Sequence, residues 1–245
     1  MHLALSLGKF YGIDSLVETL TIIVCFIIAY YSNKFYRLVK DKNYRLFSFA
    51  FLAIAISFIF KILSNLTILH RVNIHVANFM FVILTELESV EIINFISLIL
   101  YKSFYLMGFL ILFLILTKTD DREKIFLFFY FSLITLLFSI YFDFVFHLTI
   151  IFILVFLTYN FYINYNKRKN INTFLVFFAF LLLSIDHLFF ILEDFNLILY
   201  VIGEILSLIG FLCLLINQIK INNEKTNKVR SNKGYLRNLN GKKTG

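Results

Sequence analysis

Long uncharged apolar runs alternate with short charged connections along this chain, and Lys and Arg crowd onto every second connection. A helix that crosses a hydrocarbon core about 30 Å thick needs roughly 20 predominantly apolar residues. The pattern predicts seven such helices, over residues 16–31, 46–63, 92–116, 125–142, 144–163, 171–192 and 197–219. The expected fold is therefore all-α, a polytopic membrane bundle occupying residues 1–219. Residues 76–84 are apolar but too short to cross, and the pattern assigns them to an interfacial or re-entrant segment of the long second connection.

The charge asymmetry orients the bundle. Lys34, Arg37, Lys40, Lys42 and Arg45 fill the first connection, Lys118, Arg122 and Lys124 the third, and Lys167, Arg168 and Lys169 the fifth, whereas Lys9 and Arg71 stand on the other side. The positive-inside rule then puts the N-terminus outside and the C-terminus in the cytoplasm. The first apolar run is followed rather than preceded by basic residues, as in a signal anchor. Residues 220–245 alternate Asn, Lys, Arg and Gly with few apolar side chains, too few to fold alone, so a basic disordered tail is expected there.

Sliding the chain against itself adds an internal repeat. Residues 47–63 align with 176–192, matching Phe49, Ala50, Phe51, Leu52, Ile56, Phe60, Ile62 and Leu63 with identical residues. Residues 107–118 align with 209–220, where Gly-Phe-Leu recurs at Gly108 and Gly210. The simplest organisation is three spans, a linker span and three more, a parallel repeat over 14–118 and 144–220. This layout is similar to that of the SWEET sugar-efflux transporters, which join two three-helix bundles through a fourth helix. The Pro-Gln motif and hinge prolines of that family have no counterpart in a chain without proline, so the likeness is one of layout.

Composition narrows the classes further. A chain of 245 residues that is 60% hydrophobic has no room for a separate soluble catalytic domain beside seven spans. The net charge of +8 is confined to membrane-flanking segments, which points to anionic lipid headgroups at the cytoplasmic face and not to nucleic acid. Cys25 and Cys213 lie inside apolar runs and read as packing residues. The last span contains no lysine for a retinal Schiff base, DRY and NPxxY motifs are missing, and no GxSxG, Gly-rich phosphate loop or zinc-ligand set is present. Neither an enzymatic activity nor a cofactor is expected.

Ionisable residues inside spans are the best functional pointers, because each costs at least about 2.5 to 3.5 kcal/mol at the bilayer centre. Lys102 and Glu204 fall at matched depth, roughly 10 to 15 Å below the outer face, and the repeat makes them equivalent. The expectation is that they pair near the axis between the halves, either as a dry structural pair or as a ligand site. Asp186 and His187 lie in the outer half of span six. Lys61 is expected to snorkel at the end of span two, and Asp14 and Glu18 to sit at the helix N-terminus of span one. His2, His70, His75, His147 and His187 all fall on the outer side among acids, a solvated rim with no complete metal-ligand set. The expected function is that of a receptor-like or sensory module of the cell membrane, with an outward polar pocket around Lys102, Glu204 and Asp186 and a basic face for a cytoplasmic protein partner; the alternative is a small-solute or ion transporter whose two three-helix halves move around the same residues.

Overall fold

The computed structural model describes residues 2–77, 83–118, 121–193 and 195–241. Among these the chain forms seven helices and no strand: α1 (His2–Val39), α2 (Lys42–Ala77), α3 (Ile83–Thr117), α4 (Arg122–Ser139), α5 (Asp143–Arg168), α6 (Ile171–Ile191) and α7 (Leu197–Gly241). Six contain segments long and apolar enough to span a bilayer, namely Asp14–Val39, Lys42–Thr67, Glu91–Thr117, Asp143–Arg168, Ile171–Ile191 and Ile198–Asn222. The apolar part of α4, Ile125–Ser139, is shorter. At 1.5 Å per residue α4 reaches about 27 Å, and its C-terminal end meets Lys102 through the carbonyl of Ser139. It therefore returns the chain from the basic end of the bundle to the acidic end, where α5 begins. The molecule is an all-helical membrane bundle.

The helices are apolar on more than one face because two different surroundings demand it. On α7, Ile202, Ile205, Ile209, Leu212 and Ile216 form an exposed stripe, while Gly203, Ser207, Gly210, Phe211 and Leu214 on the other face are buried. Phe126, Phe129, Leu133 and Leu137 of α4 and Phe152 and Tyr159 of α5 are likewise exposed. Large apolar side chains on this scale at a surface belong to a protein whose solvent there is lipid.

Several boundaries differ from the sequence pattern. The long second connection is largely helical, since α2 continues to Ala77 and α3 starts at Ile83; residues 78–82, the middle of the expected interfacial segment, lie outside the described residues. Asp14, Glu18 and Lys61 consequently stand inside helices and not at their ends. α4 stops at Ser139, with Tyr141 and Phe142 turning back onto the Phe138 carbonyl. Where a disordered tail is expected, α7 runs on as helix to Gly241; no proline interrupts it and its first glycine after Lys220 is Gly234.

The six long helices close into a ring. α1 packs on α2, α2 on α3, α3 on α5, α5 on α6, α6 on α7 and α7 back on α1, while α4 lies outside against α3 and α5. Exchanging α1–α3 for α5–α7 maps this ring onto itself: the α3/α5 seam becomes the α7/α1 seam. Local contacts follow the same exchange. A Cβ on Gly108 would fall 2.5 Å from Ile54 Cγ1 and 2.9 Å from the Ala50 carbonyl oxygen, and one on Gly210 would fall 2.9 Å from Leu183 Cγ and 3.2 Å from the Ala179 carbonyl oxygen. α1 and α5 both end on a lysine with positive φ, Lys40 at 60° and Lys169 at 45°, whose N–H bonds to Tyr36 and Tyr165 respectively. Asp41 and Asn170 then cap the next helix, each side chain accepting at 3.0 Å from the backbone N–H of Asn43 or Asn172.

Candidate functional site

The polar interior of the ring is concentrated toward the acidic end, and two lysines organise it. Lys61 of α2 forms ion pairs with Glu204 of α7 and, at 3.2 Å, with Glu18 of α1. Glu18 is 0% exposed and also accepts from the side-chain amide of Asn65 at 3.0 Å. The ammonium lies 5.4 to 5.9 Å from the ring centroids of Phe58, Tyr101, Phe190 and Tyr200, so aromatic faces supply attraction where water is excluded. Lys61 is thus enclosed rather than snorkelling, and Asp14 and Glu18 are buried rather than capping a helix end. α1 and α2 each continue past these residues, which keeps them within the packed wall.

The second lysine corrects the expected pairing. Lys102 Nζ bonds Asp143 Oδ1 at 2.6 Å and the Ser139 carbonyl at 2.8 Å, not Glu204. α3 and α7 sit on opposite sides of the ring and do not pack together, so their equivalent residues meet the first helix of the other half instead. At the α3/α5 seam Lys102 faces Asp143 and His147. At the α7/α1 seam the equivalent residue, Glu204, lies beside Asp14 and Glu18. Three acids gather at that seam, and Lys61 supplies the cation the seam lacks.

Asp186 and His187 occupy the wall of α6 between these pairs. His187 Nδ1 is 2.8 Å from His147 Nδ1, and its Nε2 is 3.1 Å from the Tyr105 hydroxyl. His147 Nε2 lies 3.6 Å from Asp143 Oδ2. Asp186 is 0% exposed, and both carboxylate oxygens lack a hydrogen-bond partner. Ser207 of α7 faces it without closing a bond of ordinary geometry. Among the described residues no three His, Cys, Asp or Glu side chains converge as a metal site.

Toward the middle of the ring the lumen is filled by aromatic rings, Phe58 edge-on to Tyr105 at 5.8 Å and to Phe211 at 5.9 Å, and Tyr105 tilted against Phe109 at 4.9 Å and Phe146 at 6.0 Å. Toward the basic end this packing gives way to a cavity of about 370 Å³. Phe47, Phe161 and Phe180 contribute apolar walls, while Asn172, Asn217 and Gln218 contribute amides. Asn172 Oδ1, Asn217 Oδ1 and Gln218 Nε2 are buried with no hydrogen-bond partner, in a chain whose other buried polar atoms are mostly satisfied. The volume lies within the range of small-molecule sites. A smaller cavity of about 50 Å³ adjoins Lys102 between α3 and α4.

Sequence reasoning singled out Lys102, Glu204, Asp186 and His187, and all four belong to this polar interior. It passed over Lys61, Glu18, Asp143 and His147 as functional residues, and the amides of the basic end. The register that pairs Ala50 with Ala179 carries the signal for the first group: extended backwards it pairs Asp14 with Asp143 and Glu18 with His147. No protein-family model, curated protein or solved structure matches the chain, so its function is argued from the geometry of the bundle alone.

Proposed function

We propose that the protein is a small-solute carrier of the cell membrane, whose two three-helix halves rock about the aromatic centre of the ring. One observation carries the reading: ion pairs join the halves at the acidic end, and the halves stand apart around a cavity at the basic end. Opening one end and closing the other is what alternating access between two repeats requires. With the basic face in the cytoplasm, this is the inward-open form. Exposed Lys34, Arg37, Arg45, Arg122, Lys167 and Arg168 then meet anionic headgroups. Transport, and not catalysis, is the proposed activity.

The lining indicates the solute. Two unpartnered amide oxygens, of Asn172 and Asn217, and the unpartnered Gln218 Nε2 offer acceptors and a donor, aromatic rings offer an apolar face, and among the described residues Lys118 is the charged one in the lining and no acid joins it. A small uncharged solute bearing hydroxyl or amide groups fits this chemistry, and an organic cation does not. The expected sensory module and the expected transporter both centre on Lys102, Glu204 and Asp186; among the described residues those side chains are buried and packed, and the cavity of about 370 Å³ lies toward the other end, where the carrier reading puts its solute.

The test is in two steps, in a background with Cys25 and Cys213 replaced by alanine. Thr173→Cys should react with a membrane-impermeant maleimide from the basic side, and Ser207→Cys should not react from the acidic side. A panel of polyols and small amides is then screened for protection of Thr173→Cys, and any protecting solute is offered to proteoliposomes. Protection and uptake, both lost in Asn217→Leu, support the carrier. A Thr173→Cys that labels from neither side, or protection without uptake, counts against it.

A further inference from the structure

We propose that Asp186 is a proton-binding site, loaded from the acidic side through Asp143, His147 and His187. Asp186 is the end of this path because it is fully buried and neither oxygen accepts a hydrogen bond. A carboxylate left ionised and unpaired in such a setting is costly, and the addition of one proton removes the cost. The groups facing it are His187 on its own helix, Ser207 and Glu204 on α7, Lys61 on α2 and Tyr105 on α3, with His147 of α5 behind His187. Lys61 is already held by Glu204 and Glu18, so it is not Asp186's own counterion.

The path begins in solvent. Asp143 has a side chain 59% exposed at the start of α5. From there each imidazole is entered by one nitrogen and left by the other. His147 presents Nε2 to Asp143 Oδ2 at 3.6 Å and Nδ1 to His187 Nδ1 at 2.8 Å. His187 in turn presents Nε2 to Tyr105 at 3.1 Å and to Asp186 Oδ1 at 3.9 Å. The gaps at the two ends exceed hydrogen-bond reach, and rotation of each terminal carboxylate or one bridging water closes them. Buried chains of Asp and His inside a membrane are a recurrent means of moving protons.

The transfer balances with one proton. Water delivers it to Asp143, which passes it to His147 Nε2; His147 releases its Nδ1 proton to His187 Nδ1, and His187 releases its Nε2 proton to Asp186. The Asp186 carboxylate becomes the acid, and both imidazoles are left as the opposite neutral tautomers, to be reset by ring rotation. Loading also bears on the link between the halves. An ionised Asp186 competes with Glu204 for Lys61, and a protonated one leaves that pair intact, so proton release favours opening of the acidic end. This last coupling rests on the carrier reading, whereas the proton site does not.

Infrared spectroscopy of the full-length protein in liposomes tests the site directly. At neutral pH the wild type should show the carbonyl stretch of a protonated carboxylic acid that is absent in Asp186→Asn and moves in frequency in Asp186→Glu. On transfer to D₂O the band should shift. In His147→Phe that shift should slow by about tenfold or more, equivalent to roughly 1.4 kcal/mol on the barrier. Asp143→Asn, altered at an exposed side chain, should slow it as well, which keeps the test open if the histidine variant does not fold. No acid band in the wild type, a band that survives Asp186→Asn, or exchange at an unchanged rate in Asp143→Asn and His147→Phe overturns the proposal. Solute protection of Thr173→Cys, measured in the same liposomes, separates the two readings: protection without an acid band leaves the carrier and removes the proton site, and the converse does the reverse.

Discussion

Lys61 on α2 and Glu204 on α7 form an ion pair between helices that are not neighbours in the ring and otherwise meet through the Phe58 and Phe211 rings. The long lysine side chain crosses the lumen from one half of the ring to the other, so this contact is a tie between halves rather than a brace within one. Its removal leaves Glu204 and Glu18 buried without their cation. Lys61→Met is therefore expected to destabilise the protein by about 3 to 5 kcal/mol, read as a lowered midpoint of thermal unfolding in detergent. Lys61→Met with Glu204→Gln should recover part of that loss, because the second change removes one of the stranded charges.

The equivalence of the two seams makes a sharper case. The repeat aligns Glu204 with Lys102, and Glu204 lies close enough to Asp14 and Glu18 to interact with their charges, as Lys102 does with Asp143 and His147. A lysine at that position should supply the seam's cation directly. Lys61→Met combined with Glu204→Lys is expected to unfold at a higher temperature than Lys61→Met alone, with a favourable interaction energy of about 0.5 to 3 kcal/mol in the double-mutant cycle. An additive or worse outcome would mean that the two seams are not built alike.

Helix crossings give a third expectation. Gly108→Ala would drive a methyl group against the Ala50 carbonyl and Ile54, and Gly210→Ala against the Ala179 carbonyl and Leu183. Backbone cannot yield as a side chain can, so each should cost about 1 to 3 kcal/mol, more at Gly108, where the contacts are closer. At Gly203 the three nearest atoms to an added methyl all belong to the Phe190 ring, a side chain that can shift, so Gly203→Ala should cost less than either. Unfolding midpoints of the three variants in one detergent give the order.

A fourth concerns the connections at the basic end. Asp41→Ala and Asn170→Ala each remove an acceptor for the second backbone N–H of the following helix. Both should lower stability by about 1 kcal/mol, and by similar amounts, since the lysine, the cap and the helix that follows are arranged alike.

Much of the architecture is written in the chain as spacing. Apolar runs of spanning length predict the helices and their number, because lipid leaves the backbone few options. Burial of Lys102, Glu204, Asp186 and His187 was legible for the same reason: charge inside an apolar run has to be sheltered. The choice of partner was not. Pairing depends on which helices adjoin in the ring, and the placing of α3 and α7 on opposite sides of it comes from tertiary packing that spacing does not encode. Lys61 was misread because Ser64, Asn65 and the residues that follow look like a connection, whereas α2 continues through them. The amides of the basic end, Asn217 and Gln218, sit so close to the expected end of the last span that they pass for its polar boundary.

α4 touches little of the rest of the molecule, yet the charge pattern depends on it. Three helices are an odd number, so a second unit joined directly to the first would enter the bilayer upside down. Asp143 and His147 would then face the basic side, out of reach of Lys102, and Glu204 would be carried away from Lys61. A lipid-facing helix with few contacts of its own thus sets the polarity of the second half. Its sequence is answerable chiefly to bilayer thickness, and the ion pairs it makes possible lie between residues that belong to other helices.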